Sequence, residues 1–107
     1  MEIKLEELKS LVSQTGNNGN LSHSLVVGEK YFIRTVLFYY TGRIKSITDT
    51  DIVLSDAAWI ADTGRFADAL KNGVFNEVEP FCDDVILQRG SIVDVTRWNH
   101  VLPNEQK

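Results

Sequence analysis

An Arg-Gly pair between two short apolar runs is the part of the sequence best suited to binding chemistry. Residues 85–87 and 92–95 are mostly apolar, and Arg89-Gly90 lies between them. Glycine lets the backbone turn sharply at positive φ, because it has no Cβ that would clash. An arginine beside such a turn presents a planar fork of hydrogen-bond donors to the space that the turn encloses. The pair therefore predicts a tight turn with positive φ at Gly90 and with Arg89 available to a ligand.

A second predicted turn carries carboxylates. The segment Thr48-Asp49-Thr50-Asp51 precedes the apolar run Ile52-Val53-Leu54. Asp side chains can accept hydrogen bonds from their own backbone two residues further on, which favours a tight turn. Asp49 and Asp51 are therefore predicted to lie in a turn between two strands.

The remaining reactive residues give little support to catalysis. His23 and His100 are far apart in sequence, and the serines beside His23 lack the context that a nucleophile requires. Cys82 is the only cysteine, which excludes an intrachain disulfide and a cysteine zinc cluster. We therefore expect no enzymatic activity, no cofactor and no bound metal.

A cluster of acidic residues could in principle hold a hard cation. Ca²⁺ takes oxygen ligands of this type, but the spacing of a Ca²⁺ loop is not present. A solvated acidic face is the favoured interpretation. The residues concerned are Glu77, Glu79, Asp83 and Asp84.

Length and composition restrict the class of protein. The chain has 107 residues, of which 43% are hydrophobic, and this suits a single folded domain over 1–107. The net charge of −4 opposes broad nucleic-acid binding, which needs a basic surface. No apolar run reaches the ~20 residues that span a bilayer, and the N-terminus has no apolar core of a secretory signal. We expect a cytoplasmic protein without a membrane partner.

The elements that must position the two turns are mostly strands. Apolar residues at helical spacing predict an amphipathic helix over 1–13, before a loop rich in Gly and Asn. Residues 31–40 are dense in aromatic and β-branched side chains and predict one strand, buried on both sides over part of its length. Gly42 then permits a bend or bulge.

The second half of the chain is less regular. Residues 57–81 break the β rhythm, with a helix predicted to start near Asp62-Thr63-Gly64 and to stop at Gly73 in the left-handed conformation. An acidic connection follows, then strands over 85–89 and 91–97 and a polar tail that frays from Pro103. About five strands in so short a chain favour a bent sheet that closes into a small barrel.

These patterns resemble the two sequence motifs of Sm-like (LSm) proteins. Gly42 and Asp49 match the glycine and acidic residue of the first motif, and 52–54 match its apolar strand. Arg89-Gly90 and the apolar residues after it match the second motif. The resemblance implies a mainly β fold: a strongly bent five-stranded antiparallel barrel over 25–102, with an N-terminal helix and a short inserted helix within an insertion over 57–84.

The resemblance also implies a function. In the family, residues at these two turns meet around the pore of a ring and hold single-stranded RNA, which assigns Asp49, Asp51, Arg89 and Gly90 to such a site. Asp51 stands where the family has Asn, and an ionised carboxylate has no donor and repels phosphate. No aromatic residue between Gly42 and the end of the motif can stack a base. We therefore expect a homo-oligomeric ring, similar to divergent members from bacterial viruses, that acts as an assembly or RNA-related module and binds RNA only weakly.

Large side chains suggest where subunits meet. Trp59 and Trp98 are anchors of either the core or an interface, and Arg97 beside the last strand favours the interface. An alternative function is an oligomeric protein that binds a nucleotide-sized ligand in pockets between subunits. Pockets with Arg43, Arg65 or Arg97 at the rim would favour that alternative.

Overall fold

The chain folds as a single antiparallel sheet with one short helix in the part that the structure describes. A computed structural model describes residues 24–107, so the helix predicted over 1–13 lies outside the described residues. The strands are β1 (Lys30–Thr35), β2 (Tyr39–Ile47), β3 (Asp51–Asp62), β4 (Glu77–Pro80), β5 (Val85–Gln88) and β6 (Ile92–Arg97). Helix α1 (Phe66–Asn72) lies between β3 and β4, and a 3₁₀ turn (Arg89–Ser91) joins β5 to β6.

The strand order explains how the sheet bends. The order is β4-β3-β2-β1-β6, and β5 pairs with the first part of β3. The long strand β3 thus has β5 beside residues 51–54 and β4 beside residues 58–62. The predicted mainly β class with a strongly bent antiparallel sheet is confirmed. Five strands, β6-β1-β2-β3-β5, form that sheet, and β4 is an additional strand.

A bulge between β2 and β3 lies at the predicted glycine. Thr41 pairs with Ala58 but Arg43 pairs with Ser55, so β3 holds one extra residue at this point. Asp56 lies at this bulge and has a φ of 52°. A Cβ on Gly42 would lie 3.1 Å from the Leu54 side chain, so glycine allows the two strands to approach closely here. The bulge predicted at Gly42 is confirmed, and bulges of this kind increase the bend of a strand.

Both faces of the sheet bury apolar side chains. Alternation along a strand places successive residues on opposite faces. One core lies inside the bend and contains Tyr31, Ile33, Ile44, Ile52, Leu54, Ala57 and Leu87. The other lies under α1 and the C-terminal segment and contains Phe32, Ala58, Ile60, Ala69, Phe75, Val78 and Trp98. The expectation that the strand beginning at residue 31 is buried on both sides is therefore confirmed over 31–33.

The prediction of one strand over 31–40 is wrong, because the chain reverses within it. Thr35 closes a tight turn, because its backbone N–H donates to the Phe38 carbonyl at 2.8 Å. The Thr35 hydroxyl donates to the same carbonyl at 2.7 Å and accepts from the Phe38 N–H at 3.0 Å. A threonine hydroxyl can replace the usual turn residues in this way. The turn leaves Val36 and Leu37 exposed at its tip.

The expected insertion over 57–84 is more regular than predicted. β3 continues to Asp62 instead of breaking at residue 57, and the acidic connection contains β4. Within β4 only Val78 is buried, whereas Glu77 and Glu79 are exposed. The helix begins at Phe66, with Arg65 as its N-cap, directly after the predicted start at Asp62-Thr63-Gly64.

The helix stop at Gly73 is confirmed. Gly73 has a φ of 73°, and its N–H donates to the Ala69 carbonyl at 2.8 Å. His100 packs against this cap, because its Nε2 lies 2.8 Å from the Leu70 carbonyl oxygen. A Cβ on Gly73 would lie 2.5 Å from the imidazole Cγ of His100.

Gly73→Ala is therefore expected to lower the free energy of unfolding by about 1–3 kcal/mol, from left-handed strain together with the contact to His100. Thermal unfolding measures the loss. Gly90→Ala is the matched control, because a Cβ there meets no atom within 4 Å. Equal melting temperatures for both variants would contradict the role of Gly73.

The C-terminal tail does not fray as predicted. The Val78 N–H donates to the Lys107 carbonyl at 3.0 Å, and the Lys107 N–H donates to the Val78 carbonyl at 2.9 Å. The Gln106 side-chain amide donates to Glu79 at 3.3 Å. Polar composition led to the wrong prediction, whereas the outer edge of β4 offers backbone partners that hold the tail.

Candidate binding site at the two turns

The turn between β2 and β3 is held by a threonine and not by its aspartates. The Thr48 hydroxyl accepts from the N–H of Thr50 at 3.2 Å and from that of Asp51 at 2.9 Å. The Thr48 N–H donates to the Asp51 carbonyl at 2.9 Å. The tight turn is confirmed, but the expected aspartate hydrogen bonds to the backbone are replaced by this hydroxyl. Asp49 is left exposed in the turn.

Arg89 joins the two predicted turns. Its guanidinium Nη1 donates to the Thr48 carbonyl at 2.6 Å, and its backbone N–H donates to the Thr50 carbonyl at 2.8 Å. The neighbouring Gln88 side-chain amide donates to Asp51 at 3.1 Å. The structure thus brings both turns of the predicted site side by side, although 41 residues separate Arg89 from Thr48.

The contacts of Arg89 reduce what it can offer to a ligand. One donor of the five on its guanidinium is used by the Thr48 carbonyl. The Asp51 carboxylate accepts from the Gln88 amide. Arg89 therefore positions the first turn. Its other guanidinium donors have no acceptor among residues 24–107, and the two carboxylates give the turn a negative charge.

Gly90 does not have the conformation predicted for it. It lies in the 3₁₀ turn Arg89–Ser91, and the described glycines with positive φ are Gly28, Gly64 and Gly73. The Ser91 hydroxyl supports this turn by donating to the Gln88 carbonyl at 2.8 Å. A 3₁₀ turn reverses the chain with ordinary negative φ values, so Gly90 carries no strain that another residue would feel. Because an added Cβ at Gly90 meets no atom within 4 Å, a β-branched residue there is expected to cost little stability.

A cavity of about 350 Å³ opens beside the second turn. Its floor is apolar, and arginines lie at two points of its wall. The lining residues include Tyr31, Ile52, Arg89, Ile92, Val95 and Arg97. Arg97 is exposed and lies 3.4 Å from the Glu29 carboxylate. The cavity therefore combines two positively charged side chains, Arg89 and Arg97, with an apolar floor next to strand β6.

An arginine that sequence analysis did not single out neutralises an acidic residue of this cavity. Arg34 donates to both carboxylate oxygens of Asp94, with its Nε 2.8 Å from Oδ1. The hydrogen bonds from Arg34 hold the pKa of Asp94 below its usual range. The Arg34 guanidinium also lies 5.0 Å from the centre of the Phe66 ring. Asp94 stays ionised and paired, so it does not leave an isolated negative charge at the cavity wall.

The three predicted interface residues have different positions. Trp98 is 2% exposed and belongs to the core under α1, so its assignment to an interface is wrong. A conjugated ring this large fills the space between the helix and the sheet. Trp59 is half-buried on the opposite face, and Arg97 is exposed on the last strand. Of the two other arginines considered for pocket rims, Arg43 donates to the Gly28 carbonyl and Arg65 precedes α1.

Within residues 24–107, the acidic residues form no metal centre. No group of three or more His, Cys, Asp or Glu in that part of the chain is placed to share an ion. Asp84 accepts instead from the Lys45 ammonium at 2.6 Å. None of the described helices is long and apolar enough to cross a membrane.

Among the comparisons with known proteins, only the search of solved structures gives a likeness. No family model matches the chain, and no curated protein matches it. Among solved structures, the chain is similar to a heptameric archaeal Sm protein described in relation to the eukaryotic snRNP core. The TM-score is 0.49 and the sequence identity 12%, over 66% of this chain and 87% of that one.

Proposed function

We propose that this chain is a non-enzymatic protein that assembles with copies of itself into a closed ring. The observation that carries the proposal is the pair of free strand edges. Among residues 24–107, β5 pairs only with β3 and β6 pairs only with β1, so each has an outer edge without a partner strand. Unpaired edges offer rows of N–H and C=O groups to another chain.

The side chains on these edge strands support the same assembly. Ile86 on β5 and Val93 on β6 are each 62% exposed. Pairing of β5 from one copy with β6 from the next would cover both side chains and continue the sheet from subunit to subunit. Two different surfaces meet in such a contact, and a head-to-tail contact closes into a ring when its rotation allows.

The two joined turns are the surface that we propose for RNA-related binding in the ring, with Arg89, Gly90, Asp49 and Asp51. Arg89 is partly committed to the Thr48 carbonyl, and the two carboxylates repel phosphate. Weak binding of single-stranded RNA follows from this balance. An origin in bacterial viruses and a cytoplasmic location stay predictions of the sequence.

Titration of labelled oligo-U tests this surface. We expect an affinity no tighter than roughly micromolar at physiological salt, in the non-specific range. Arg89→Ala should weaken it only slightly more than Arg65→Ala, which removes the same charge at the start of α1. Nanomolar binding that is lost in Arg89→Ala alone would show that the turns are a dedicated RNA site and would contradict the weak-binding proposal.

The 350 Å³ cavity favours a second candidate function, the binding of a nucleotide-sized ligand. It lies beside β6, where a neighbouring copy would pair, and Arg89 and Arg97 lie in its wall. Arginine suits phosphate because its donors form a fork. Uridine monophosphate in the same titration distinguishes the two functions. Binding of the mononucleotide that Arg97→Ala weakens, with no gain for longer oligo-U, would favour the ligand-binding function.

A further inference from the structure

A group of four aromatic side chains lies where β2, β3 and β4 adjoin, away from the two turns. We call this group, Phe38, Tyr40, Trp59 and Phe81, the aromatic cluster. Tyr40 pairs across strands with Trp59, and Trp59 pairs with Glu79. Directly opposite residues share one face of a sheet. The aromatic cluster therefore lines one continuous surface, a cavity of about 370 Å³ whose wall also includes Glu79 and Pro80.

Two of the four rings are exposed, and Tyr40 and Trp59 are half-buried. Phe38 is 46% exposed and Phe81 is 43% exposed. On the opposite face of the same strands, Ala58, Ile60 and Val78 are buried in the core under α1. The aromatic cluster is thus an apolar surface on a firmly packed sheet.

The arrangement of the rings suits a cation. The Phe38 ring packs edge to face against the Trp59 ring, with an interplanar angle of 88° and centroids 6.0 Å apart. Tyr40 and Phe81 stack at 24° with centroids 6.2 Å apart. The faces of aromatic rings carry partial negative charge, and they attract cations within about 6 Å of a ring centre.

A carboxylate adds to this attraction. Glu79 lies in the cavity wall and is held by the Gln106 side-chain amide at 3.3 Å. The same wall is mainly aromatic and offers few other acceptors. A primary ammonium is strongly hydrated and would lose part of that hydration against the rings, whereas a quaternary ammonium has no donor and presents methyl groups to them. Stacked bases are disfavoured here, because Glu79 and the net charge of −4 repel phosphates.

We propose that the aromatic cluster and Glu79 form a binding site for a quaternary ammonium cation carried by a small molecule. The rings contact the methyl groups, and the Glu79 carboxylate neutralises the charge. The cavity volume lies near the lower end of the range of small-molecule sites, about 300–1,000 Å³, which fits a compact ligand. The site is independent of the free strand edges and of the two turns.

The test is a titration of the ¹⁵N-labelled protein with choline, followed by the indole N–H signals. The chain has two tryptophans. Trp98 is buried, and its indole N–H donates to the Val101 carbonyl at 3.2 Å. We expect choline to shift the signal of Trp59 and to leave that of Trp98 unchanged. The neutral isostere 3,3-dimethylbutan-1-ol has the same shape without the charge, and it should bind severalfold more weakly.

Variants make the assignment specific. Phe81→Leu should weaken choline binding by roughly twofold to fivefold, the fold-change that follows from about 0.5–1 kcal/mol for an exposed cation–π contact. Glu79→Gln should also weaken choline binding, because it removes the neutralising charge. Phe66→Leu is the matched control, because Phe66 packs against Phe32 of the other core. An unmoved Trp59 signal at millimolar choline would overturn the proposal. So would equal binding of the neutral alcohol, or a Trp59 shift that only oligonucleotides or phosphatidylcholine vesicles produce.

Discussion

Trp98→Ala is expected to lower the free energy of unfolding by about 3–5 kcal/mol, the usual cost of removing a buried Trp or Phe side chain. The Trp98 ring stacks on the Phe75 ring, with centroids 5.0 Å apart and an interplanar angle of 9°. It also packs edge to face with the His100 ring, with centroids 4.8 Å apart. Phe32 lies 6.1 Å away on the sheet. Removal of the indole would leave a cavity between α1, β1 and the C-terminal segment. Such a loss is a large part of the ~5–15 kcal/mol that stabilises a typical domain.

Thermal and urea unfolding measure this effect. A domain of this size loses about 4–8 °C of Tm for each kcal/mol, so Trp98→Ala should melt at least roughly 12 °C lower. Trp59→Ala is the matched control. Its Tm should fall clearly less, because Trp59 is only half-buried. The core assignment of Trp98 would be contradicted if Trp98→Ala reduced the native mass but left the unfolding curve of the subunit unchanged.

Val93→Lys is expected to disrupt the assembly while leaving each subunit folded. Val93 is on the edge strand β6 and is 62% exposed, so a lysine there meets solvent in the free subunit. In the proposed ring the same position is covered by the neighbouring β5, where an unpaired charge is costly. Lysines on edge strands oppose edge-to-edge pairing in natural sheets for this reason. Each 1.4 kcal/mol lost at the contact raises the dissociation constant about tenfold.

Sedimentation of the variant beside the natural protein checks this expectation. Ile86→Lys should act in the same way from the other edge, because β5 supplies the complementary surface. Val101→Lys is the control, since Val101 is 83% exposed and lies outside both strands. Retention of the natural mass in both edge variants, with melting curves unchanged, would exclude the β5–β6 contact.

Much of the fold could be predicted because its signals are local. Gly73 follows a short run with a helical apolar face, and it ends the helix as expected. Gly42 marks the bulge, and 48–50 form the turn between β2 and β3. Gly73 and the residues of the turn have distinctive backbone preferences, and Gly42 lies where β2 and β3 approach closely.

The errors arise where tertiary contacts decide the structure. The turn at 36–38 contains no Gly, Pro, Asn or Asp, and it forms because the Thr35 side chain bonds to Phe38. β4 has only one buried residue, Val78, so its acidic sequence resembles a connection. The tail at Lys107 is ordered by the free edge of β4, which no sequence pattern near the tail reveals.

The candidate site shows the same division. The two turns were identified from glycine, arginine and aspartate in short motifs, and the structure places them side by side. The contact between Arg89 and the Thr48 carbonyl depends on the pairing of β5 with β3, and so it could not be read from either motif alone. The aromatic cluster was missed for a related reason. Its members come from three separate segments, and the reversal at 36–38 brings Phe38 beside Trp59.

The native mass of the purified protein tests the proposed ring most directly. One chain has a mass of 12.1 kDa. Sedimentation velocity and native mass spectrometry at micromolar concentration should both show a single species whose mass is a fixed multiple of that value. The multiple should not change with dilution over a moderate range, because a closed ring leaves no free edge for further growth. A single-chain mass, or a ladder of species that lengthens with concentration, would contradict the closed assembly.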